Sequence, residues 1–165
     1  MKRRQALLGG LGLTVFLGGC STLPAPASED STPSSRTEWS GRLALQVLTE
    51  PAESFSASFE LSGSPDTGTL RLFSPFGQTL AAAEWQPGQA TLRRGDEERT
   101  YPSMEALTEA LTGTALPLAA VFGWLRGVAT AVEGWQVDLS EQAAGRVQAQ
   151  RLFPAPEARL RLVYR

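Results

Sequence analysis

Apolar side chains at every second position dominate the first half of the chain and limit the folds it can adopt. They lie in the segments 41–47 and 55–61 and are Leu43, Leu45, Val47, Phe55, Ala57, Phe59 and Leu61. Alternation of this kind places the apolar residues on one face of a strand and the polar residues on the other, as in a half-buried antiparallel sheet. Further strand candidates follow at 69–73, 79–85, 90–95 and 99–101, separated by turns rich in glycine and proline.

The middle of the chain changes to helical spacing. Ser103 is a suitable N-cap for a helix over 104–111, and Gly113 is a suitable stop. Pro117 suits the first turn of a second helix, which Gly127 ends. Three more strand candidates follow, at 135–139, 146–153 and 159–165. Strands, two helices and then strands predict an α+β fold, a single domain built on a mostly antiparallel sheet.

The first nineteen residues have the layout of a secretory signal. Residues 2–4 are basic, 6–17 form an apolar run, and 17–20 read LGGC. The run is short for a transmembrane helix, which needs about twenty apolar residues. The LGGC ending resembles the lipobox of bacterial lipoproteins, in which the cysteine, here Cys20, is acylated and becomes the first residue after cleavage. An ordinary signal peptide that ends near a chance cysteine is the alternative.

Residues 20–38 are predicted to be the lipidated cysteine and a disordered tether. Eight serines and threonines and three prolines occur among the eighteen residues from Ser21 to Glu38. A segment of this composition cannot bury enough apolar surface to fold. As a flexible chain it reaches about 25 Å. Residues 39–165 then form one domain with one core.

Two residue types that many enzymes require are missing from the predicted mature chain. The sequence has no histidine, and its only lysine, Lys2, belongs to the signal. Triads, Schiff-base lysines and zinc or copper sites of histidine and cysteine are therefore excluded. Carboxylate pairs remain possible, but the acidic residues lie mostly at turns and outward strand positions. We expect a protein that is not an enzyme and that has no cofactor and no metal.

The charge balance also argues against nucleic acid as a partner. Removal of residues 1–19 takes three of the fifteen basic residues and leaves all seventeen acidic ones, which gives a net charge of about −5. An acidic domain without basic clusters lacks the electrostatic footprint of a protein that binds nucleic acid.

A large aromatic residue occupies the tip of a tight turn. Ser74, Pro75, Phe76 and Gly77 suit the four positions of a type I turn, which leaves Phe76 at the third. Loop tips lie on the surface, where a large apolar side chain costs solubility unless a partner uses it. Turn chemistry alone leaves open whether Phe76 folds back onto the sheet or points into solvent.

Several segments together resemble the LolB family of outer-membrane lipoprotein receptors. They are SGRLAL, LRLFSPFGQTLAAAEW, the Tyr-Pro before the first helix, LTGTALPLAAVFGWLRG and the W-x-V strand that follows. The Leu-Pro-Leu…Trp-Leu-x-Gly pattern is the most specific of these, whereas the C-terminal RLFPAPEARLRLVYR matches only loosely. The resemblance covers most of residues 39–165. It implies a strongly curved antiparallel sheet, an incomplete barrel, with helices that close an apolar cavity.

The resemblance also implies a function. Members of the family accept triacylated lipoproteins from the periplasmic carrier LolA and insert them into the outer membrane. The chain has no G-x-x-x-x-G-K-[ST] motif, so transfer is expected to proceed without nucleotide hydrolysis. The expected location is the periplasmic face of the outer membrane, with a lipid anchor at Cys20. The expected partners are LolA, the acylated cargo and the membrane itself, and the protein is expected to be a monomer.

Site residues follow from the same resemblance. The corresponding loop in the family projects an apolar residue into solvent, so Pro75, Phe76 and Gly77 are predicted to form a membrane-insertion loop. The predicted lipid-cavity residues are Leu43, Leu45, Phe59, Leu61, Leu70, Leu72, Trp85, Leu118, Phe122 and Trp124. The alternative for these ten residues is an ordinary filled core, which the alternation alone also predicts.

Two other classes of function are compatible with a secreted, lipid-anchored domain. A lipid hydrolase requires a nucleophile with a base, and the absence of histidine and lysine argues against it. A structural or assembly lipoprotein that uses its sheet for protein contacts is the stronger rival. An apolar fluorescent probe distinguishes a structural lipoprotein from a lipid-binding receptor, because a cavity binds the probe with one-to-one saturation and a filled core does not.

Overall fold

A computed structural model describes residues 36–165 of the protein. The strands are β1 (Glu38–Val47), β2 (Glu53–Gly63), β3 (Gly68–Phe73), β4 (Thr79–Gln86), β5 (Gln89–Arg94), β6 (Glu97–Tyr101), β7 (Trp135–Asp138), β8 (Arg146–Arg151) and β9 (Ala158–Tyr164). The helices are α1 (Met104–Thr112) and α2 (Leu118–Leu125), and a 3₁₀ turn covers Gln142–Ala144. The predicted signal peptide, Cys20 and most of the predicted tether lie outside the described residues.

All nine of these strands form one antiparallel sheet in the order β6-β5-β4-β3-β2-β1-β9-β8-β7. The last strand pairs with the first, because Gly41–Val47 of β1 lie opposite Ala158–Tyr164 of β9. Strands β6 and β7 are the two edges and do not pair with each other. The sheet is therefore an open one, which confirms the predicted α+β fold with an incomplete barrel.

One face of the sheet carries the core. The residues at alternate positions of neighbouring strands lie opposite one another, as Leu43 does with Ala57 of β2 and Leu162 of β9. Along β2 the apolar side chains of Ala57, Phe59 and Leu61 are buried. The register thus gathers the alternating apolar residues of all the central strands on one side, which we call the inner face.

The helices follow the predicted capping. Ser103 Oγ accepts a hydrogen bond from the Ala106 N–H at 3.2 Å, and Gly113 ends α1 in the left-handed region at φ 67°. Helix α2 ends at Leu125 with Arg126 as its C-cap, and Gly127, in the left-handed region at φ 83°, stops it as predicted. Its last turn tightens there, because the Arg126 N–H donates to the Gly123 carbonyl oxygen at 3.0 Å.

The strand predicted at 146–153 is shorter than expected, since β8 ends at Arg151. Arg151, opposite Ala158, is the last residue of β8 that pairs with β9, although Leu152 still donates its N–H to the Gly134 carbonyl oxygen at 2.7 Å on the β7 side. Pro154 follows two residues later and has no N–H to donate. Residues 152–157 therefore form a loop.

An aromatic cluster joins α2 to the inner face. The ring of Phe122 lies edge-on to Trp39 at 5.4 Å and to Trp85 at 6.3 Å, measured between ring centroids. Trp124 packs beside Trp135 at 5.8 Å, and its Nε1–H donates to the Thr130 carbonyl oxygen at 3.0 Å. Edge-on aromatic pairs add about 0.5–1.5 kcal/mol each to the apolar burial. This cluster holds α2 against the sheet.

The two ends of the sheet differ in what they carry. Strands β1, β3, β5 and β8 finish at one end of the sheet, which therefore carries loops 48–52, 74–78, 95–96 and 152–157. We call it the mouth end. The opposite end, with loops 64–67 and 87–88, is the base end. Strand β1 rises over its ten residues from the base end to the mouth end, a distance of about 30 Å.

Candidate functional site

An apolar chamber of 80 Å³ lies between the inner face and α1. Only two of its lining residues are polar, Thr108 and Thr112, and none is ionisable. The lining residues are Leu43, Leu45, Phe55, Leu70, Leu72, Ala81, Ala83, Leu92, Met104, Leu107, Thr108, Leu111, Thr112, Leu116 and Leu160. The inward positions of six strands, β1 to β5 and β9, meet the apolar side of α1 here, so the chamber is a direct product of the strand alternation.

A larger space of 520 Å³ continues the chamber toward the mouth end, and we call it the mouth. Six residues line both spaces: Leu45, Phe55, Leu72, Ala81, Leu111 and Thr112. Charged side chains enter the lining only here, with Glu53 and Arg94. An apolar group can therefore pass from a polar rim into an apolar interior without crossing a buried charge.

The loop with Phe76 stands at the rim of the mouth. It joins β3 to β4, and Leu72, Thr79 and Leu80 on either side of it line the mouth. Phe76 is 92% exposed. The side chain therefore points into solvent at the opening of the chamber.

Local hydrogen bonds define this turn. The Gly77 N–H donates to the Ser74 carbonyl oxygen at 2.9 Å, as expected for the first and fourth residues of a β-turn. Ser74 Oγ accepts from the N–H groups of Phe76 and Gln78, at 3.3 and 3.2 Å. Gly77 has φ 79°, a value that a side chain would strain. Four consecutive residues thus build a rigid turn that holds Phe76 away from the sheet.

The ten predicted cavity residues divide between the chamber and the rest of the core. Leu43, Leu45, Leu70 and Leu72 line the chamber, and two of them, Leu45 and Leu72, also line the mouth. The other six belong to the core but line neither space: Phe59, Leu61, Trp85, Leu118, Phe122 and Trp124. The chamber therefore lies nearer to α1 than to the aromatic cluster around α2.

Several chamber residues were not singled out from the sequence. Met104, Leu107 and Leu111 come from α1, Leu92 from β5 and Leu160 from β9. Their apolar spacing marks them as inward-facing, but it does not tell which inward positions face a space and which face another side chain. That difference depends on where α1 crosses the sheet.

The groups with shifted pKa values lie away from the chamber. The hydrogen bond and charge of Glu98, with the charge of Glu84, raise the pKa of Arg93. Hydrogen bonds from Ser140 lower the pKa of the Asp138 carboxyl. Burial raises the pKa of Tyr164, whose hydroxyl donates to the Leu125 carbonyl oxygen at 3.1 Å. The chamber thus offers apolar contact and no acid or base.

The comparison with known protein families agrees with this arrangement. A family model described as "Outer membrane lipoprotein LolB" matches residues 35–156. The chain belongs to the LolB family. The match begins just before β1 and covers β1 to β8, both helices and most of the loop before β9.

Relatives that carry the LolB name are found in several bacteria. "Outer-membrane lipoprotein LolB" of Halorhodospira halophila is 36% identical over 151 residues, which cover 85% of this chain and 72% of the relative. The protein of the same name from Chromohalobacter salexigens is 29% identical, with 81% and 66% covered. That from Cupriavidus taiwanensis is 32% identical, with 78% and 64% covered. The chain thus spans about two thirds of the length of these LolB relatives.

Membership of the LolB family makes this chain an outer-membrane lipoprotein. The family is one of lipoprotein localisation. Within residues 36–165, neither helix has the length and hydrophobicity needed to cross a membrane. The predicted acylation site, Cys20, lies outside that part of the chain.

Proposed function

We propose that this chain accepts acylated lipoproteins from LolA, holds acyl chains in the chamber and mouth, and inserts the cargo into the outer membrane without nucleotide hydrolysis. The observation that carries the proposal is the continuous apolar path from the 80 Å³ chamber to a mouth whose rim presents the exposed Phe76. Family membership supports the assignment to lipoprotein localisation.

The physical need for such a protein comes from the cargo. Exposing an acyl chain to water costs about 0.8 kcal/mol per methylene, on the order of 12 kcal/mol for a chain of palmitoyl length. Three chains on one lipoprotein make free diffusion through water negligible. The acyl chains must therefore pass from one protein cavity to another in direct contact, and a tenfold bias at each step needs only about 1.4 kcal/mol.

Loading requires α1 to move. The chamber has a volume of 80 Å³, smaller than the apolar cavity of about 150 Å³ that accommodates a benzene molecule in another protein. Helix α1 packs chiefly against β5 and β6, at one side of the sheet. We infer that α1 shifts away from the inner face around that attachment and merges the chamber with the mouth.

The handover is tested with purified components. LolA loaded with an acylated lipoprotein is mixed with this chain in the absence of any nucleotide, and the cargo on each protein is measured after affinity separation. We expect the cargo to move to this chain. Cargo that remains on LolA until ATP is added would contradict the nucleotide-independent step.

Phe76→Glu tests the role of the exposed turn. The side chain is solvent-exposed and the hydrogen bonds of the turn are to Ser74, so the variant should fold and receive cargo as the wild type does. Insertion of cargo into vesicles should slow by about tenfold or more, because an apolar contact worth about 1.5–3 kcal/mol is replaced by a charge. Phe76→Leu is the matched control and should insert cargo normally. An unchanged rate for Phe76→Glu would exclude the membrane role.

A scaffold function predicts a different result with a simple ligand. An apolar fluorescent probe should bind this chain with one-to-one saturation, and acylated lipoprotein should displace it. A protein that uses only the outer face of its sheet for assembly would show neither saturation nor displacement.

A further inference from the structure

Exposed large apolar side chains concentrate at the mouth end of the described structure. Seven such residues are more than a third exposed among residues 36–165. Five lie at the mouth end: Phe55, Phe76, Leu80, Leu152 and Phe153. The other two, Val128 after α2 and Val163 on β9, lie elsewhere. Of the five at the mouth end, Phe55 and Leu80 line the mouth and Phe76 lies in the turn. Leu152 and Phe153 belong to neither feature.

The loop that carries Leu152 and Phe153 has a fixed backbone. Its first residue donates an N–H to the Gly134 carbonyl oxygen at 2.7 Å, and Glu157 near its end accepts from the Leu48 N–H at 2.8 Å. A Cβ at Gly134 would collide with the Phe153 carbonyl oxygen, so the two segments are in close contact. Phe153 nevertheless remains 54% exposed. The loop thus presents this ring from a rigid base.

A buried arginine, Arg151, forms a hydrogen bond with the backbone of the same loop. Arg151 is only 7% exposed and lies on the inner face with Val147 and Ala149. Its Nη2 donates to the Pro156 carbonyl oxygen at 2.8 Å, while its buried Nε has no partner. It also has no salt bridge with any carboxylate within residues 36–165.

Burial of a guanidinium without a carboxylate partner is costly, and an apolar residue at such a position is often neutral or stabilising. The side chain of Arg151 makes one hydrogen bond within this part of the structure, and that bond fixes the loop. We therefore assign Arg151 as a positioning residue for residues 152–157.

We propose that Leu152 and Phe153 form a second membrane-contacting element, which enters the same bilayer as Phe76. The proposal rests on the proposed function, in which the mouth faces the outer membrane. The two loops join β3 to β4 and β9 to β8, four strand spacings apart in the sheet order. That separation is about 19 Å along the sheet.

The bilayer is the partner that fits these observations. The chain is an outer-membrane lipoprotein, and the second loop lies at the same end of the sheet as the proposed insertion turn. Phenylalanine and leucine are side chains that favour the interface between water and acyl chains. One contact would leave the domain free to tilt, whereas two contacts four strand spacings apart in the sheet order direct the mouth at the lipid.

The test places the fluorophore NBD at single cysteines in the full, acylated chain. The variants are Phe153→Cys, Phe76→Cys and, as a control at a similarly exposed position outside the mouth end, Val163→Cys. Each is reconstituted into vesicles of phosphatidylethanolamine and phosphatidylglycerol with nitroxide-labelled acyl chains. We expect quenching of at least twofold at positions 153 and 76 and none at 163.

The outcomes separate this proposal from the proposed function. Quenching at 76 without quenching at 153 overturns the second contact and leaves the proposed function intact. Quenching at all three positions overturns it as well, because the domain would then lie flat on the bilayer. Shielding of position 153 only when LolA is added assigns the loop to a protein partner and also overturns it. Loss of cargo transfer from LolA, by contrast, counts against the proposed function.

The role of Arg151 has its own readout. In Arg151→Met, quenching at position 153 should fall at least twofold, whereas quenching at 76 and the thermal unfolding midpoint should stay close to those of the parent. Arg151→Lys retains a donor that reaches toward Pro156 and should restore part of the quenching. Equal quenching at 153 in all three proteins would show that Arg151 does not position the loop.

Discussion

At the scale of single residues, Phe122 shows how one side chain joins two elements. Its ring is fully buried and lies edge-on to Trp39 and Trp85, so it fills the space between α2 and the sheet. Phe122→Ala should lower the free energy of unfolding by about 3–5 kcal/mol, the cost of the lost burial and the cavity left behind. Urea denaturation measures the loss.

The matched control is Phe76→Ala, because Phe76 is 92% exposed and makes no such packing contacts. We expect its free energy of unfolding to stay within about 0.5 kcal/mol of the wild type. Equal losses for the two variants would mean that Phe122 does not anchor α2.

At the scale of elements, β4 and α1 face each other across the chamber, and two neighbouring alanines lie on opposite faces of β4. Ala83 is buried and lines the chamber, whereas Ala82 points to the outer face. Ala83→Leu should fill the chamber and weaken binding of an apolar probe by about tenfold, or 1.4 kcal/mol. Probe titration measures the change, and Ala82→Leu should bind the probe as the wild type does.

The free energy of unfolding is the second measurement for the Ala83→Leu and Ala82→Leu variants. The added methyl groups enter an existing space, so Ala83→Leu should cost no more than the 1–3 kcal/mol that overpacking typically does. Wild-type probe affinity in a folded Ala83→Leu protein would place the ligand outside the chamber.

At the scale of the whole molecule, the described part of the chain begins at the end of the sheet opposite the proposed membrane contacts. Glu38, where β1 begins, is at the base end, and Val47 is at the mouth end about 30 Å away. Glu38 lies eighteen positions after Cys20 along the sequence, a distance of about 60 Å when the chain is fully extended. A domain anchored at Cys20 can therefore direct its mouth end at the membrane only if residues 20–38 are long enough to span the sheet from the base end to the mouth end.

Deletion of residues 24–33 tests this geometry. Glu38 would then lie eight positions after Cys20, a span of at most about 28 Å, which is less than the height of the sheet. We expect the variant to receive cargo from LolA normally but to insert it poorly into the membrane that holds its own anchor. Vesicle insertion assays measure the rate.

Replacement of the same ten residues by glycine and serine keeps the length and is the control. It should insert cargo as the wild type does, since a flexible chain of this length still reaches. Equal insertion by the deletion and the replacement would show that tether length does not limit access to the bilayer.

Much of the fold could be predicted because its signals are local. The alternation in β1 and β2 gave the inward residues, and Ser103 and Gly113 gave both ends of α1. The end of β8 was misplaced because residues 152 and 153 are apolar enough for a strand. Pairing with β9 decides otherwise, because it stops at Arg151 opposite Ala158, and a pairing between separate strands leaves no signal at the residues themselves.

The candidate site was predicted only in part for the same reason. Phe76 stands in a turn defined by its immediate neighbours, so Ser74, Pro75 and Gly77 marked it in the sequence. The chamber needs the register of six strands and the crossing point of α1. Leu92 and Leu160 are far apart along the chain, and only the folded sheet shows that both line one space.

The sequence by itself therefore determined the strand faces, the helix caps and the turn at residues 74–77, because residues within a few positions of one another set each of them. The tertiary structure alone decided the pairing of β9 with β1, the place of the chamber and the burial of Arg151 under a second apolar loop. These features arise from contacts between distant segments, whose free energy depends on how the whole sheet curves and where α1 rests on it.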